Sequence, residues 1–365
     1  MKPNLIVSFM NKIGDLYLSK NVILRALAKM VFCIAGYIYN FIDLLVQNKE
    51  INRLLNANRD VKKSKTGIML DCFRYRARPY EYFSFHFDKL KRCEKKAFVT
   101  DNFNGVLSYI FSDRNAAYSL FMNKLNTYQE LESFYQRTIL LVEKAISSDI
   151  LDFVIANSIF ILKPLDLTKG VGIELMYVDE YGSPINCRNH LLENYGGGRY
   201  IVEEIVVNEE HIRKFHPNSL NTVRIPTFLL KNGDVMIDFI FIRFGRDSSV
   251  VDNAGQGGIF CAVNAETGII ESDGVDEHGG RYETHPNSGL KFKGFVIPNW
   301  EDARGLAIQL AKTINPNIRY VGWDLALSER GWLLIEGNRS GQFVGQIATQ
   351  VGIKPRIFQI LQAME

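Results

Sequence analysis

The sequence lacks the cysteine and histidine patterns that would indicate a disulfide framework or a metal centre. Its 5 cysteines are scattered over 365 residues without a CxxC pair. Because an odd count does not suit a fully paired secreted domain, we expect reduced, inert thiols and a cytoplasmic location. The 6 histidines form no recognisable set of metal ligands either.

The chain also carries little excess charge of either sign. A formal net charge of +3 is too small to indicate a nucleic-acid partner. Hydrophobic residues make up 47% of the chain and charged residues 23%, which are the proportions of a globular protein. A chain of this length can form two or three subdomains around more than one core.

A long uncharged apolar segment is absent as well. The most apolar stretch, residues 22–46, has an uncharged core of only 13 residues, 30–42. A helix needs roughly 20 such residues to span a bilayer, and the stretch has no small-residue cleavage site, so we predict neither a membrane span nor a signal peptide. Two interpretations remain: a membrane-surface helix edged by Arg25 and Lys29, or a helix buried against the rest of the protein, which the length favours.

The richest chemical signal lies in two apolar runs, residues 320–328 and 332–338, on either side of Glu329-Arg330-Gly331. This pattern predicts a β-hairpin. A three-residue hairpin loop commonly ends in a glycine with positive φ, and Gly331 has that position. Such a loop pairs residue 328 with 332, 326 with 334 and 324 with 336.

In this register Asp324, Glu336 and Asn338 lie on one face, because side chains alternate along a strand. The other face is apolar and comprises Trp323, Leu325, Leu327, Leu333 and Ile335. Facing carboxylates repel each other unless a cation lies between them, and oxygen ligands suit magnesium that carries nucleotide phosphates. The alternative is an ordinary solvated polar face. A loop of two or four residues would place Asp324 and Glu336 on opposite faces.

An aspartate on one strand and Glu-x-Asn on the next resemble the metal-binding end of the ATP-grasp superfamily, the fold of D-alanine–D-alanine ligase and biotin carboxylase. The sequence motif GWDLAL…LLIEGN is similar to that of the sugar-transfer-associated ATP-grasp branch. The resemblance implies an α+β fold, in which two antiparallel-sheet subdomains clasp ATP, with a helical N-terminal region. It assigns Mg²⁺ to Asp324, Glu336 and Asn338.

The chain divides accordingly into four parts. We expect an N-terminal helical region over residues 1–62 and an α/β subdomain over 63–135, which includes a short strand at 67–70. A lid subdomain follows over 136–206, and a C-terminal subdomain with the metal hairpin occupies 207–365. A helix over residues 300–314 is predicted to pack on the sheet before the hairpin.

A lysine within an apolar strand, Lys163 in SIFILKP, is costly to bury unless it meets an anion. The KGVG turn that follows lets backbone N–H groups approach phosphate oxygens. These features resemble the central lysine and glycine-rich lid of ATP-grasp proteins, and residues 203–206 resemble the hinge that contacts adenine and ribose. The implied ATP-binding residues are Lys124, Lys163, Lys169, Gly170, Gly172, Glu203, Glu204, Ile205 and Val206. Surface positions are the alternative for Lys124, Glu203 and Glu204.

A second hairpin is predicted over residues 222–244, because Asn232-Gly233 is a strong two-residue turn signal. Its register places Arg224 opposite Phe241 and Thr222 opposite Arg243. Both arginines then lie on one face of the sheet.

Inward guanidinium groups require anions, and they bind phosphate or carboxylate in bidentate fashion. The resemblance implies that Arg224 and Arg243 hold the transferring phosphoryl group, with Lys163 as a third catalytic residue. Salt bridges to Asp238 or Glu203 are the alternative for the two arginines.

A polar, glycine-rich loop, VVDNAGQGGIF, follows the second hairpin. Its DN…GG motif is similar to that of the sugar-transfer-associated branch. This resemblance implies that the acceptor substrate contacts Asp252, Asn253, Gly257 and Gly258. The tetrapeptide His-Pro-Asn-Ser occurs at 216–219 and again at 285–288. A turn-forming role is the simpler interpretation of both histidines, while His285 is also an acid–base candidate at the acceptor.

The common reaction of the superfamily implies an ATP-dependent, ADP-forming carboxylate–amine ligase that works through an acyl phosphate. For this branch the expectation is attachment of an amino acid to a surface-polysaccharide sugar or its precursor. One rival is a phosphotransferase that acts on a hydroxyl. Another is a nucleotide-binding scaffold that recruits glycan enzymes to the membrane through its N-terminal helices, although retention of Lys163 and the metal ligands argues against it. The expected partners are ATP and a small-molecule or glycan acceptor, with no nucleic acid.

Overall fold

The computed structural model describes residues 5–58, 60–165, 172–249, 252, 257–277 and 279–364. A helical N-terminal region precedes two antiparallel sheets with helices packed on them, so the predicted α+β architecture is confirmed.

The described part of residues 5–135 is helical. Its helices are α1 (Leu5–Tyr17), α2 (Val22–Val46), α3 (Asn48–Ala57), α4 (Lys65–Tyr75), α5 (Pro79–Ser84), α6 (Arg92–Ala97), α7 (Asp101–Phe111), α8 (Arg114–Phe121) and α9 (Lys124–Tyr135). Side-chain caps begin several of them; at α2 the Asn21 side chain accepts hydrogen bonds from the N–H groups of Ile23 and Leu24.

The short strand predicted at residues 67–70 is wrong, because these residues lie in α4. The Ser64 side chain caps this helix by accepting from the Gly67 N–H. Ile68 and Cys72, one helical turn apart, are both buried. A short apolar run does not separate strand from helix by itself, whereas this four-residue spacing is helical.

Helix α2 packs on the body of the protein through one narrow stripe. Its buried residues are Ala28, Phe32, Asn40 and Leu44. The favoured interpretation of this segment as a buried helix therefore holds only for that stripe, since many of the remaining apolar side chains are exposed.

The first sheet contains β1 (Ile139–Glu143), β2 (Ile159–Pro164), β3 (Glu174–Tyr177) and β4 (Gly197–Glu204), in the antiparallel order β1-β4-β2-β3. Helices α10 (Ser147–Ala156) and α11 (Pro184–Tyr195) pack on the face that carries Phe160 and Leu162. Since side chains alternate, Lys163 and Glu203 lie on the opposite face, where Glu203 is paired with Ile161.

The second sheet follows the short helix α12 (Glu210–Arg213) and has the order β10-β9-β8-β7-β5-β11-β12, with β6 beside β5. Its strands are β5 (Thr222–Leu229), β6 (Val235–Ile237), β7 (Phe241–Phe244), β8 (Ile259–Ala262), β9 (Gly274–Val275), β10 (Arg281–Tyr282), β11 (Tyr320–Ser328) and β12 (Gly331–Asn338). Helix α13 (Trp300–Thr313) confirms the predicted helix before the hairpin, and α14 (Gly345–Thr349) and α15 (Lys354–Met364) follow it.

The β11–β12 hairpin has a two-residue loop, so the predicted three-residue loop is wrong: Ser328 pairs with Gly331. A register shift between Asp324 and Leu325 then moves one strand by one residue. Because a β-bulge adds one residue to one strand only, Asp324 faces Glu336 as predicted in spite of the shorter loop.

The shorter loop also changes which apolar side chains share a face. The main core takes Trp323, Leu325, Leu327, Trp332 and Leu334. Leu333 and Ile335, the predicted members of this face, pack instead in a separate cluster with Ala326 and Val206. That part of the prediction is wrong, because the two-residue loop pairs Leu327 with Trp332 and Leu325 with Leu334, one residue earlier on β12 than a three-residue loop would.

The arginine-bearing hairpin has the predicted register at its site end, where Arg224 faces Phe241 and Thr222 faces Arg243. Its turn is less regular than predicted. The returning strand is interrupted at Phe239, whose φ is 59°, so β6 and β7 are separate strands.

Candidate functional site

A cavity of about 850 Å³ lies between the two sheets and the N-terminal helices. It brings together twelve of the residues predicted to contact nucleotide, metal or substrate. These are Lys124, Lys163, Glu203, Glu204, Ile205, Val206, Arg224, Arg243, Asp252, Asp324, Glu336 and Asn338.

One end of the cavity is built around a buried carboxylate on the first sheet. Glu203 forms ion pairs with Lys163 and with Arg137. Burial by itself would raise the pKa of Glu203, but these two cations lower it to about 2. Lys124, the first residue of α9, lies nearby and donates to the backbone carbonyls of Pro164 and Leu165 at 3.2 and 3.3 Å.

This end can hold an anion beside an apolar surface. Its carboxylates are Glu203 and Glu204, and the cations on or beside them outnumber these two: Lys124, Lys163, Arg137 and Arg330. The neighbouring lining is apolar and includes Ile161, Ile173, Leu175, Val206 and Ile335. An excess of positive charge next to apolar walls suits the phosphates and base of a nucleotide.

Arg137 is the site residue that sequence reasoning missed. Its buried guanidinium donates to the backbone carbonyls of Tyr135 and Leu334 as well as pairing with Glu203. It therefore ties the first sheet to the β11–β12 hairpin. A lone arginine before the apolar strand β1 is the only sequence signal, and it does not reveal the partners.

The predicted hinge leaves the first sheet where β4 ends at Glu204. Glu204 accepts a hydrogen bond of 2.6 Å from Arg330 at the tip of the β11–β12 hairpin. Ile205 and Val206 line the cavity. Glu203 and Glu204 are thus engaged by protein cations, so the backbone and the apolar side chains of the hinge are left to face a nucleotide.

The other end of the cavity is a buried ion cluster on the second sheet. Arg224 donates to both carboxylate oxygens of Asp324, at 2.5 Å from Nε to Oδ1 and 2.8 Å from Nη2 to Oδ2. Arg243 Nη2 lies 3.1 Å from Asp324 Oδ2. Although burial would raise the pKa of Asp324, the two arginines hold it below its usual value.

Asp252 completes this cluster. Its carboxylate lies 3.5 Å from Arg243 Nε and accepts hydrogen bonds from the N–H and the hydroxyl of Thr222. Burial lowers the stability of the Arg243 cation, but Asp252 and Asp324 raise its pKa above the usual range. The arginines therefore have carboxylate partners, and these are Asp324 and Asp252 rather than the alternatives Asp238 and Glu203.

The three predicted metal ligands, Asp324, Glu336 and Asn338, suit magnesium only in part. Both oxygens of Asp324 already accept from arginines, and Asn338 Nδ2 lies 3.3 Å from Oδ2. Among the described residues, acidic, histidine and cysteine side chains do not form a group of three that could hold a metal ion. Glu336 and Asn338 still offer oxygen donors to the cavity. Three carboxylates against two guanidiniums also give this end a formal charge that favours a cation.

The remaining predicted residues that the structure describes are not part of the cavity lining. His285 is fully buried, with Nε2 2.8 Å from the Gly245 carbonyl and Nδ1 accepting from the Asn287 N–H. This placement gives His285 a structural role and provides no geometric support for substrate contact. Gly172, Gly257 and Gly258 lie outside the lining as well. Lys169, Gly170 and Asn253 lie outside the described residues.

The cavity extends beyond the two sheets to the N-terminal helices, which the sequence did not indicate. Its lining there includes polar side chains of α3, α5 and α7 and of the residues beside them: Glu50, Arg53, Arg78, Tyr80, Glu81, Thr100, Asp101 and Asn104. This wall adds charged and polar groups of the N-terminal helices to the cavity.

Comparisons with solved structures give weak similarities. N5-carboxyaminoimidazole synthetase from Staphylococcus aureus is 11% identical, with a TM-score of 0.40, over 67% of this chain and 52% of that one. The Aspergillus clavatus enzyme in complex with ADP and 5-aminoimidazole ribonucleotide has 11% identity and a TM-score of 0.41 over 67% and 52%. D-alanine–D-alanine ligase from Helicobacter pylori has 14% and 0.39 over 72% and 65%. The chain thus spans about half the length of the first two.

No curated protein matches the sequence. The family model described as sugar-transfer associated ATP-grasp, by contrast, matches residues 102–362, which is well over half of the chain. This match covers both sheets and the residues of the cavity from Asn104 to Ile347. The chain therefore belongs to the sugar-transfer-associated ATP-grasp family.

Proposed function

We propose that the protein is an ATP-dependent, ADP-forming carboxylate–amine ligase that acts in the cytoplasm. The observation that carries this proposal is the shared cavity in which a cationic end, at Lys124 and Lys163, faces the Arg224–Asp324–Arg243 cluster. Membership in an ATP-grasp family supports ATP as the nucleotide that binds in this cavity. The arrangement provides a site for ATP phosphates next to guanidinium groups fixed in position before reaction.

In the proposed reaction a substrate carboxylate oxygen attacks the γ-phosphorus of ATP, and the bond to the β-phosphate oxygen breaks to release ADP. The product of this step is an acyl phosphate. An amine then attacks its carbonyl carbon, loses a proton, and displaces inorganic phosphate. Arg224 and Arg243 would stabilise the transferring phosphoryl group, because their guanidiniums are held rigidly by Asp324 and do not need to reorganise.

Lys163 and Lys124 would bind the phosphates that stay on the leaving nucleotide. The apolar side chains near Val206 would hold the base away from water. Magnesium, when bound, supplies charge neutralisation of the phosphates, and Glu336 and Asn338 are the residues that would hold it. We infer an acceptor that carries an amine, attached to a surface-polysaccharide sugar or its precursor, from the association of the family with sugar transfer.

The reaction class is tested by its products. Incubation with ATP, magnesium, candidate amino acids and hydroxylamine is expected to give ADP, phosphate and a hydroxamate, because hydroxylamine traps acyl phosphates. Arg224→Ala should lower the hydroxamate yield far more than it weakens ATP binding, since its stabilising interaction grows in the transition state.

Three other outcomes would overturn the proposal in different ways. A phosphorylated, hydroxylamine-resistant product would identify a phosphotransferase acting on a hydroxyl. Nucleotide binding without turnover of any candidate substrate would favour a non-catalytic nucleotide-binding scaffold. Formation of AMP and pyrophosphate would contradict attack at the γ-phosphorus altogether.

A further inference from the structure

Helix α2 exposes a continuous apolar face to solvent. The exposed side chains repeat every three or four residues, which places them on one side of the helix: Ile23, Leu27, Met30, Ile34, Ile38, Phe41, Ile42 and Leu45. Leu70 and Phe73 of α4 extend the same surface, and the rings of Phe41 and Phe73 are 6.3 Å apart. We call these ten side chains the outer face.

The opposite side of α2 is fastened to the body of the protein. Asn40 donates to the Cys72 carbonyl at 3.1 Å and accepts from Asn102 at 2.7 Å. Asp43, the only acidic residue of the helix, pairs with Arg78 at 3.4 Å. Although α2 is long and apolar enough to cross a membrane by composition, insertion would bury these polar partners in lipid or break them. The helix can therefore present only its outer face.

The distribution of charge indicates what covers this face. Residues 1–100 contain 19 lysines and arginines against 8 acidic residues, a formal charge of +11. The remaining residues contain 24 basic and 32 acidic residues, a formal charge of −8. An apolar helix face within a strongly basic region suits a membrane whose interior is apolar and whose headgroups are anionic.

We propose that the outer face docks on an anionic membrane surface, with α2 lying parallel to the membrane. The face is about 33 Å long from Ile23 to Leu45, at the usual rise of a helix. Exposed basic residues near α2 and α4, among them Lys20, Lys29, Lys49 and Arg74, would contact the lipid headgroups. This proposal does not depend on the reaction that the protein catalyses.

Docking in this orientation would place α2 between the membrane and the cavity. Arg78 lines the cavity and also contacts α2, where it pairs with Asp43 and donates to the Tyr39 hydroxyl at 3.4 Å. Arg53 of α3 lines the same wall. Arg78 thus joins the wall of the cavity to α2, the helix that carries the outer face. This connection suits an acceptor that is anchored in lipid.

The test is flotation of the full-length protein with vesicles of phosphatidylcholine alone or with about one quarter phosphatidylglycerol. The wild type should bind the anionic vesicles, and high salt should weaken binding because it screens the charges. Ile34→Glu/Ile38→Glu, at side chains that are 53% and 58% exposed, should abolish binding without loss of folding. Lys20→Glu/Lys29→Glu should weaken it by about tenfold or more.

A matched control is available on the first sheet's helices. Ile155 and Ile185 are 62% and 54% exposed, so Ile155→Glu/Ile185→Glu changes the same residue type and the same charge away from the outer face. This variant should bind vesicles like the wild type. ATP turnover and thermal unfolding in solution should be unchanged in all three variants, which verifies their folding.

Three results would overturn the proposal. Wild-type protein that fails to bind anionic vesicles has no membrane-docking face. Equal loss of binding in the control variant would show a non-specific charge effect. Wild-type dimers that dissociate in Ile34→Glu/Ile38→Glu, in the absence of vesicle binding, would show that a second copy of the chain covers the outer face.

Discussion

At the scale of single residues, the site depends on ions whose partners lie far away in sequence. Glu203 meets Arg137 and Lys163, and Asp324 meets Arg224 and Arg243. Each of these carboxylates is buried between two cations, so its removal would leave positive charge in the interior without its anionic partner. The cations keep both carboxylates ionised in the folded protein.

The pKa of Glu203 predicts a dependence of stability on pH. It is about 2 in the folded protein, against an ordinary value of 4.5. A lowered folded-state pKa stabilises the protein above pH 4.5, and this stability is lost as the pH falls from 4.5 towards 2. Glu203→Gln should therefore flatten the fall of unfolding free energy in this window, measured by denaturant unfolding at a series of pH values.

Glu283→Gln is a suitable control for that measurement. Glu283 is exposed and pairs with Lys291 on the surface, where an ion pair contributes little. Its replacement should leave the pH dependence as in the wild type. If Glu203→Gln also kept the wild-type slope, Glu203 would not be the group that titrates in this window.

Glu336 provides the second prediction at this scale. It lines the cavity together with Asn338. Arg224 donates its hydrogen bonds to Asp324 and not to the carboxylate of Glu336. Glu336→Gln should keep the fold and lower magnesium-dependent ATP turnover by at least about 100-fold, since a charge-stabilising group is lost. Steady-state ADP release at several magnesium concentrations measures this. Wild-type turnover in the variant would remove Glu336 from the metal assignment.

At the scale of elements, the two hairpins decide which side chains reach the cavity. In β11–β12 the short loop and the bulge offset each other, so the pairing of Asp324 with Glu336 results from two irregularities. In the other hairpin the break at Phe239 precedes the pairing of Arg224 with Phe241. Both sites of register shift lie next to residues of the cavity.

Gly331 allows the hairpin loop to be tested by itself. Its φ is +98°, and a Cβ atom added there would meet nothing within 4 Å. Gly331→Ala should therefore cost about 1 kcal/mol from backbone strain alone. Gly305→Ala, in the interior of α13 and equally unobstructed, should stabilise by a similar amount because alanine is the better helix former. Thermal unfolding of both variants tests the pair, and equal shifts would contradict the strained loop.

Much of the site could be predicted because chemistry and strand periodicity act locally. One cavity is lined by the predicted metal ligands Asp324, Glu336 and Asn338 and by the two predicted arginines, Arg224 and Arg243. The details that failed are those that periodicity does not encode. The loop length was predicted from the position of Gly331 alone, and the shorter loop of the structure places Leu333 and Ile335 on the other face. Arg137 and Asp252 meet their partners through tertiary packing, which a single sequence does not reveal.

At the scale of the whole molecule, the N-terminal helices join the body at two separate cores. Leu18 and Phe32 pack in a cluster with Phe103 and Ile360. Leu44 packs in another with residues that include Tyr82 and Phe98. The helical region is therefore part of the fold and not a detachable segment, and it also completes the wall of the cavity through Arg53 and Arg78.

This attachment predicts the effect of removing residues 1–50. The truncation deletes the buried side chains of Leu18, Phe32 and Leu44, each of which stabilises by about 1.5–3 kcal/mol. Since the whole free energy of unfolding of a domain is about 5–15 kcal/mol, we expect a strongly lowered melting temperature or aggregation, measured by thermal unfolding with light scattering. Ile34→Glu/Ile38→Glu keeps these three contacts and should melt like the wild type. A truncated protein that is equally stable and soluble, and that has merely lost vesicle binding, would show instead that α1 and α2 form an anchor independent of the catalytic body.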